Sequence, residues 1–346
     1  MQQANIKEKK RIPYLDTLRV LACLMVILVH SPHPHEGMTS AISYGIISYL
    51  CSPCIGLFLM VSGALLFPMR GSTKEFLSKR LTRIIFPLIS WSIIYIIIAL
   101  LLGKISILDG LKDFVNIPFG CVGGFDHGWY LYLIIGIYLF LPIFNSWLSI
   151  HEKRRCEYYL IFWAITMCYP YLTALVGNFQ TYTLLEFSGY FGYIVLGYYL
   201  YKYPIPLTSF KQWSTLITIS IILCGVLPAV VYIADIPNYD TYSLIIYNYQ
   251  GIHTVMMSVF IFVIIQNFNA SNKYIQSFFR NFSNLSFGIY LFNFVILREV
   301  FKPYFIQNPL NIVELEILIT FVLSTIISYI IIWFINNLPF KKYIIG

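Results

Sequence analysis

Three ionisable side chains lie in the first apolar stretch of the chain, Tyr14 to His30. Asp16 and Arg19 stand near its start, and His30 stands at its end. Ionisable groups cost free energy at membrane depth, so those that occur there are candidates for function. We therefore place Asp16 and His30 in a candidate catalytic set and treat Arg19 as a candidate for binding an anion.

Helix geometry relates Arg19 to His30. On an ideal helix, eleven residues make roughly three full turns, so the two side chains point within about 20° of each other. The same arithmetic separates their α-carbons by roughly 16 Å along the axis, about half the thickness of the hydrocarbon core. One helix face thus offers a cation near one membrane surface and an imidazole deep inside. This arrangement suits a ligand with an anionic head and a long, thin reactive arm.

The composition is that of a polytopic membrane protein. The 346 residues are 58% hydrophobic and only 11% charged, with a mean hydropathy of +0.74, whereas a soluble domain is about 25% charged. Each of ten apolar segments is near the length of a spanning helix. We predict an all-α bundle, a single integral-membrane domain over 1–346, with about ten transmembrane helices at 15–33, 42–67, 84–103, 129–148, 157–176, 184–201, 213–233, 251–268, 284–305 and 312–337.

The positive charges predict the orientation. With a cytoplasmic N-terminus, 18 of the 23 Lys and Arg residues fall on the inside, as the positive-inside rule requires. Both termini are then cytoplasmic, and residues 1–13 form a basic cytoplasmic tail. The net charge of +8 is explained by topology, so we expect a lipid bilayer around the protein and no nucleic-acid partner.

An arginine pair and a pair of small residues in the first third of the chain are also informative. Arg80 and Arg83 are three residues apart and lie on the same predicted side as Arg19. Arginine forks match phosphate geometry, although the pair alone also fits simple positive-inside anchoring. Ser62 and Gly63 end the second apolar segment, where small residues favour close helix packing.

Two further sets of polar residues are candidates for the acceptor side of the protein. One lies on the predicted outer side, and the other lies within the ninth predicted span. Asp126 and His127 form a polar pair just before Trp129, a residue that is also typical of an interfacial aromatic belt. Ser286, Tyr290 and Asn293 recur at i, i+4 and i+7 on an otherwise apolar helix. Such a stripe is expected to face a cavity in the bundle.

A metal site is not expected near the first outside turn. His33 and His35 follow His30 closely, but Pro32 and Pro34 break a helical arrangement of their ligands.

These motifs together resemble the acyltransferase-3 family of bacterial integral-membrane acyltransferases, many of which O-acetylate cell-envelope polysaccharides. They occur in family order over nearly the whole chain. The carrying residues are Leu15-Asp16-Thr17-Leu18-Arg19, His30, Phe58 to Ser62-Gly63, Arg80-x-x-Arg83 with Pro87, His127-x-Trp129-Tyr130-Leu131 and Ser286-Phe287-Gly288-Ile289-Tyr290-Leu291.

The resemblance implies an acyl-CoA co-substrate, acetyl-CoA above all, and no metal. Arg19, Arg80 and Arg83 would bind its phosphates, and we include Ser62 in this cofactor-binding set. His30 would act as general base or as transient acyl acceptor. A neutral imidazole is available for this at cellular pH.

The acceptor side is implied in the same way. We place His127 with the catalytic residues and expect the acceptor at Asp126, Trp129, Ser286, Tyr290 and Asn293. The chain departs from many relatives, which carry His where it has Asn293 and Tyr where it has Phe287. An amide cannot act as a base, so acid–base chemistry is not expected at position 293.

The predicted function is therefore transfer of an acyl group from cytoplasmic acyl-CoA to a hydroxyl of a cell-envelope carbohydrate or glycolipid, at a bacterial inner membrane. A homodimer is left open. The alternative is a transporter or export component for a polysaccharide or lipid-linked sugar. That alternative predicts an internal repeat with broken helices, and no persuasive repeat is present.

Overall fold

The computed structural model describes residues 11–31, 38–176, 182–222, 225, 249–268 and 272–346. Over these residues the secondary structure is helical, without a strand. The α-helices are α1 Pro13–His30, α2 Met38–Cys51, α3 Pro53–Leu66, α4 Thr73–Leu101, α5 Ile107–Asn116, α6 Trp129–Leu148, α7 Glu152–Met167, α8 Tyr169–Val176, α9 Phe191–Lys202, α10 Phe210–Ile221, α11 Ile252–Asn267, α12 Lys273–Ile296, α13 Lys302–Gln307, α14 Val313–Ile335 and α15 Lys341–Ile344.

Local sequence signals explain where the site-bearing helices begin. Pro13 occupies the first turn of α1, where its missing N–H costs no hydrogen bond. Ser72 and Glu75 form a reciprocal capping box that starts α4. The Asn272 side chain accepts hydrogen bonds from the first N–H groups of α12. The helices that carry Arg19 (α1), Arg80 and Arg83 (α4) and Ser286 and Tyr290 (α12) therefore start at fixed points.

Close packing of α3 on α9 forms one wall of the bundle core. Gly63 meets the backbone of Ile194, and Gly197 meets the backbone of Met60. A Cβ at Gly63 would lie 1.9 Å from the Ile194 carbonyl oxygen, and a Cβ at Gly197 would lie 2.1 Å from the Met60 carbonyl oxygen. Only glycine permits this approach, as the prediction of close packing at Ser62-Gly63 required. On the other side, α1 packs between α3 and α12.

The last long helix, α14, has an inside-out distribution of side chains. Its buried face holds small polar residues at a spacing of four, Thr320, Ser324 and Ser328. The exposed face is large and apolar, with Leu318, Val322, Ile326, Ile330 and Trp333. Lipid on the outside and small residues between helices account for this pattern.

Six helical segments among the described residues are long and apolar enough to span a membrane. They are Pro13–His30, Ser43–Leu66, Thr73–Leu101, Asp126–Leu148, Lys273–Gln307 and Val313–Ile335. The predicted all-helical, multi-span architecture is confirmed in this coarser form. The count of ten spans and the cytoplasmic position of both termini stay predictions.

The structure also changes some boundaries. The 42–67 segment is two helices, because the helix breaks at Ser52 and Pro53 starts a new one. The connection between the predicted spans 84–103 and 129–148 contains α5, whose exposed side includes Leu111 and Phe114. The helix of the ninth predicted segment begins at Lys273, well before residue 284, because Asn272 caps it there and its first turns are polar.

Gly63→Ala is expected to destabilise the protein by about 1–3 kcal/mol, since the added methyl group overpacks the contact between α3 and α9. The free energy of unfolding in mixed micelles measures this change. Gly136→Ala is the matched control, because a Cβ there would have no neighbour within 4 Å. Equal stability of the two variants would contradict the packing argument.

Candidate active site

A basic cavity of about 520 Å³ opens at the end of the bundle where α1, α4 and α12 begin. Five cationic side chains line it, and no Asp or Glu is among the described residues that line it. The cations are Arg19, Arg80, Arg83, Lys341 and Lys342. Three predicted phosphate-binding arginines, separated by 64 positions in the sequence, therefore share one cavity.

Arg19 is held by a chain of hydrogen bonds. Its Nη1 donates to Ser283 Oγ over 3.2 Å, and Ser283 Oγ donates to Asp16 Oδ1 over 2.8 Å. Arg11 donates two hydrogen bonds to the same carboxylate, from Nε to Asp16 Oδ2 over 2.6 Å and from Nη2 to Asp16 Oδ1 over 2.8 Å. This network fixes a guanidinium at the cavity wall and offsets the cost of holding charge in an apolar bundle.

Asp16 is consequently placed away from the candidate catalytic histidine. It lies fourteen positions before His30 on the same helix, about 21 Å along the axis. Its carboxylate is buried and engaged by Arg11 and Ser283. Asp16 is connected to Arg19 through Ser283 and thereby helps to orient the guanidinium.

The inner part of the cavity is lined by hydroxyl groups. Ser62, Ser286, Tyr130 and Tyr290 all contribute to its wall. Ser62 Oγ donates to the Phe58 carbonyl over 2.9 Å, and Ser286 Oγ donates to the Ser283 carbonyl over 2.9 Å. Both serine hydroxyls can still accept a hydrogen bond from a ligand.

Tyr290 joins the cavity to a cluster of imidazole and aromatic rings. Its hydroxyl donates to the backbone carbonyl of His127. The His127 ring lies 4.4 Å from the ring of Phe294, and Phe294 lies 5.2 Å from the ring of His30, measured between centroids. The two histidines predicted to be catalytic therefore contact the same phenylalanine. Neither of them lines the cavity, in which Tyr290 is the lining residue bonded to His127. His127 is buried, whereas His30, the last residue of α1, is exposed, so the predicted position of its imidazole deep inside the bundle is wrong.

His127 has unusual polar surroundings. It is only 6% exposed, and neither ring nitrogen has a hydrogen-bond partner among the described residues. The Tyr95 hydroxyl and the Asn293 side-chain oxygen, both buried, have none either within that part of the chain. Buried polar atoms usually find partners, and such exceptions are typical of sites that hold a ligand or do chemistry.

The predicted acceptor residues differ in their exposure, and two of the five line the basic cavity. Asp126 lies in a short turn and is mostly exposed, 3.8 Å from Arg298. Trp129 is partly exposed and stacks near Tyr190. Asn293 is buried and donates to carbonyls of its own helix, whereas Ser286 and Tyr290 line the basic cavity. His33 and His35 lie outside the described residues.

The sequence argument missed several residues of the site. Lys341 and Lys342 were counted only as a topology signal, yet they line the cavity. Phe294 had no polar atom to attract notice, yet it separates the two histidines. No local pattern marks such residues; contacts across the bundle define them.

An inside-out helix, apolar segments of spanning length and a basic cavity with adjacent imidazoles define a helical membrane protein that can bind an anionic ligand. The chain also matches the family model described as Acyltransferase domain, Acyl_transf_3, over residues 12–335. It therefore belongs to the acyltransferase-3 family, and the predicted resemblance is confirmed. Family and helices together support a multi-pass membrane acyltransferase. No curated protein and no solved structure matches the chain.

A double-mutant cycle tests the network behind Arg19. Arg11→Ala and Asp16→Asn are expected to be non-additive by about 1 kcal/mol in free energy of unfolding, because the two side chains share a bidentate pair. The reference cycle uses Lys112→Ala and Asp109→Asn, an exposed pair for which we expect no measurable coupling. Additive effects in both cycles would show that the Arg11–Asp16 pair is not energetically coupled.

Proposed function

We propose that this protein is a membrane O-acyltransferase that moves an acyl group, in the first instance acetyl, from cytoplasmic acyl-CoA to a hydroxyl of a cell-envelope carbohydrate or glycolipid. One observation carries the proposal. Arg19, Arg80 and Arg83 meet in a cavity whose inner end, at Tyr290, touches the backbone of the buried His127.

The donor fits the basic end of this arrangement. CoA carries a diphosphate and a 3′-phosphate on a compact nucleotide, followed by a long, thin pantetheine arm with the thioester at its tip. Arginine forks bind phosphate oxygens in a bidentate manner. With the phosphates at Arg19, Arg80 and Arg83, the arm would run along Ser62 and Ser286 towards Tyr290.

The histidines then provide the proton transfer. His30 would take the proton of the acceptor hydroxyl as its oxygen attacks the thioester carbonyl. The new C–O bond forms, the C–S bond breaks, and the proton passes to the departing CoA thiolate. In the covalent variant, His30 first accepts the acyl group and then gives it to the hydroxyl.

His127 is suited to a supporting role in this step. Its unpartnered ring nitrogens lie one phenylalanine ring away from His30. An N–H there could stabilise the negative charge that develops on the carbonyl oxygen. The arm has to pass the rings of Tyr290 and Phe294 to bring the thioester to both histidines.

Other assignments follow from charge and depth. The end of the bundle that holds the five cations would face the cytoplasm of a bacterial inner membrane, in line with the distribution of Lys and Arg. The acceptor would approach from the end where Asp126 and Trp129 are exposed. We propose no metal cofactor and no nucleic-acid partner, and a homodimer is compatible with this arrangement.

His30→Ala is expected to lower acyl transfer by about 10²- to 10⁴-fold, the usual effect of removing a general base, while CoA affinity stays unchanged. Transfer of radiolabelled acetyl from acetyl-CoA to membrane glycans in inside-out vesicles measures the rate. CoA binding to the purified variant in nanodiscs supplies the control. Retained transfer would exclude His30 as base or acyl acceptor.

Arg83→Ala is expected to weaken CoA binding by about 10- to 100-fold, because a charged hydrogen bond to phosphate is lost. Calorimetric titration of CoA into nanodiscs gives the dissociation constant. Arg70→Ala is the matched control, since Arg70 is exposed on the preceding loop and does not line the cavity. Equal affinities of these two variants would contradict the donor site, and CoA-independent flux of a glycan would favour a transporter.

A further inference from the structure

The C-terminal segment Lys341–Gly346 forms part of the cavity wall although it lies beyond the residues 12–335 that match the family model. Lys341, Lys342, Ile345 and Gly346 all line the cavity. The family match therefore assigns nothing to these side chains. Their position has to be explained from the contacts of this chain.

Contacts with three helices hold the segment in place. Trp91 of α4 donates its indole N–H to the Ile344 carbonyl over 2.8 Å. Ile345 is buried in an apolar cluster with Ile289 of α12 and Ile332 of α14. The segment is thus anchored to α4, α12 and α14 at once.

Gly346 brings the segment against one of the cavity arginines. A Cβ on Gly346 would lie 2.8 Å from the Arg83 carbonyl oxygen and 3.1 Å from Arg83 Cγ. Its φ of +82° is in the region that favours glycine. The backbone of the segment and the base of the Arg83 side chain therefore form one continuous surface.

The two lysines stand exposed at the rim of this surface. Lys342 Nζ lies 4.8 Å from the ring centroid of its neighbour Tyr343, and the Tyr343 ring packs on Phe86 of α4 at 5.1 Å. The segment thus adds two exposed lysines to the residues that line the cavity. Lysine is a flexible point charge and can follow a phosphate that arginine forks do not reach.

We propose that Lys341 and Lys342 bind phosphate groups of the acyl-CoA donor and that the anchored segment Lys341–Gly346 holds them at the wall of the donor cavity. The proposal rests on the proposed function, because it takes acyl-CoA as the ligand. It adds two binding residues and a structural element that the family match does not contain. Positive-inside anchoring alone would require the charges but not their place on the wall of a cavity.

The test measures CoA binding to the full chain in nanodiscs by calorimetric titration at several salt concentrations. The double variant K341A/K342A is expected to bind CoA at least about tenfold more weakly. Its affinity should also depend less on salt than that of the wild type, because fewer exposed charges take part. K341R/K342R retains the charge and is expected to restore most of the affinity.

The matched control is K74A/K79A, which removes two exposed lysines from the first turns of α4 without touching the cavity wall. We expect wild-type affinity for this variant. A second variant, Trp91→Phe, removes the hydrogen bond to Ile344 and keeps every charge. It is expected to weaken CoA binding several-fold because the segment loses an anchor.

The outcomes separate this inference from the proposed function. If the wild type binds CoA and both lysine pairs have the same effect, or none, the role of Lys341 and Lys342 is overturned while the donor site stands. If the wild type binds no CoA, the proposed function fails and this inference fails with it. A selective loss in K341A/K342A supports both.

Discussion

The cost of keeping cations inside an apolar bundle dominates the design of this protein. Arg19 belongs to a helix whose buried residues, apart from Asp16 and Cys23, are aliphatic. Its guanidinium is tolerable because Ser283 connects it to the buried carboxylate of Asp16, which Arg11 neutralises. An isolated charge in this position would cost several kcal/mol. Arg19 also lines the cavity, where an anion could accept hydrogen bonds from its guanidinium.

Helix packing supplies the second constraint. The glycine contacts between α3 and α9 let two backbones approach to a distance that no other residue allows. This contact fixes the wall on which Ser62 lies, while α1 is held between α3 and α12. One helix that borders the cavity, α3, is therefore positioned by glycine contacts with α9.

The site has two halves with different chemistry. The basic half is open at one end of the bundle and lined by charge, whereas the half around His30 and His127 is aromatic. The rings of Tyr290 and Phe294 lie between them. A ligand that joins the halves must have an anionic head and a narrow reactive arm. The same shape follows from the spacing of Arg19 and His30 along one helix.

The sequence by itself determined the features that depend on local periodicity and composition. Apolar segments predicted membrane helices, and helical spacing predicted the shared face of Arg19 and His30 and the proximity of Arg80 to Arg83. The ordered motifs predicted the family, which the match over residues 12–335 confirms. Each of these inferences depends on residues within a few turns of one helix or on the order of the motifs. The amino-acid sequence contains both kinds of information directly.

Tertiary structure decided which distant side chains meet. It placed Asp16 behind Arg19, set His127 beside the phenylalanine that contacts His30, and brought Lys341 and Lys342 to the arginine cavity. It also put Ser286 and Tyr290 on the wall of the basic cavity, whereas Asp126, grouped with them in the predicted acceptor site, does not line that cavity. These contacts depend on how helices cross and tilt. Crossing angles result from the summed packing of whole helix faces, which no local pattern encodes.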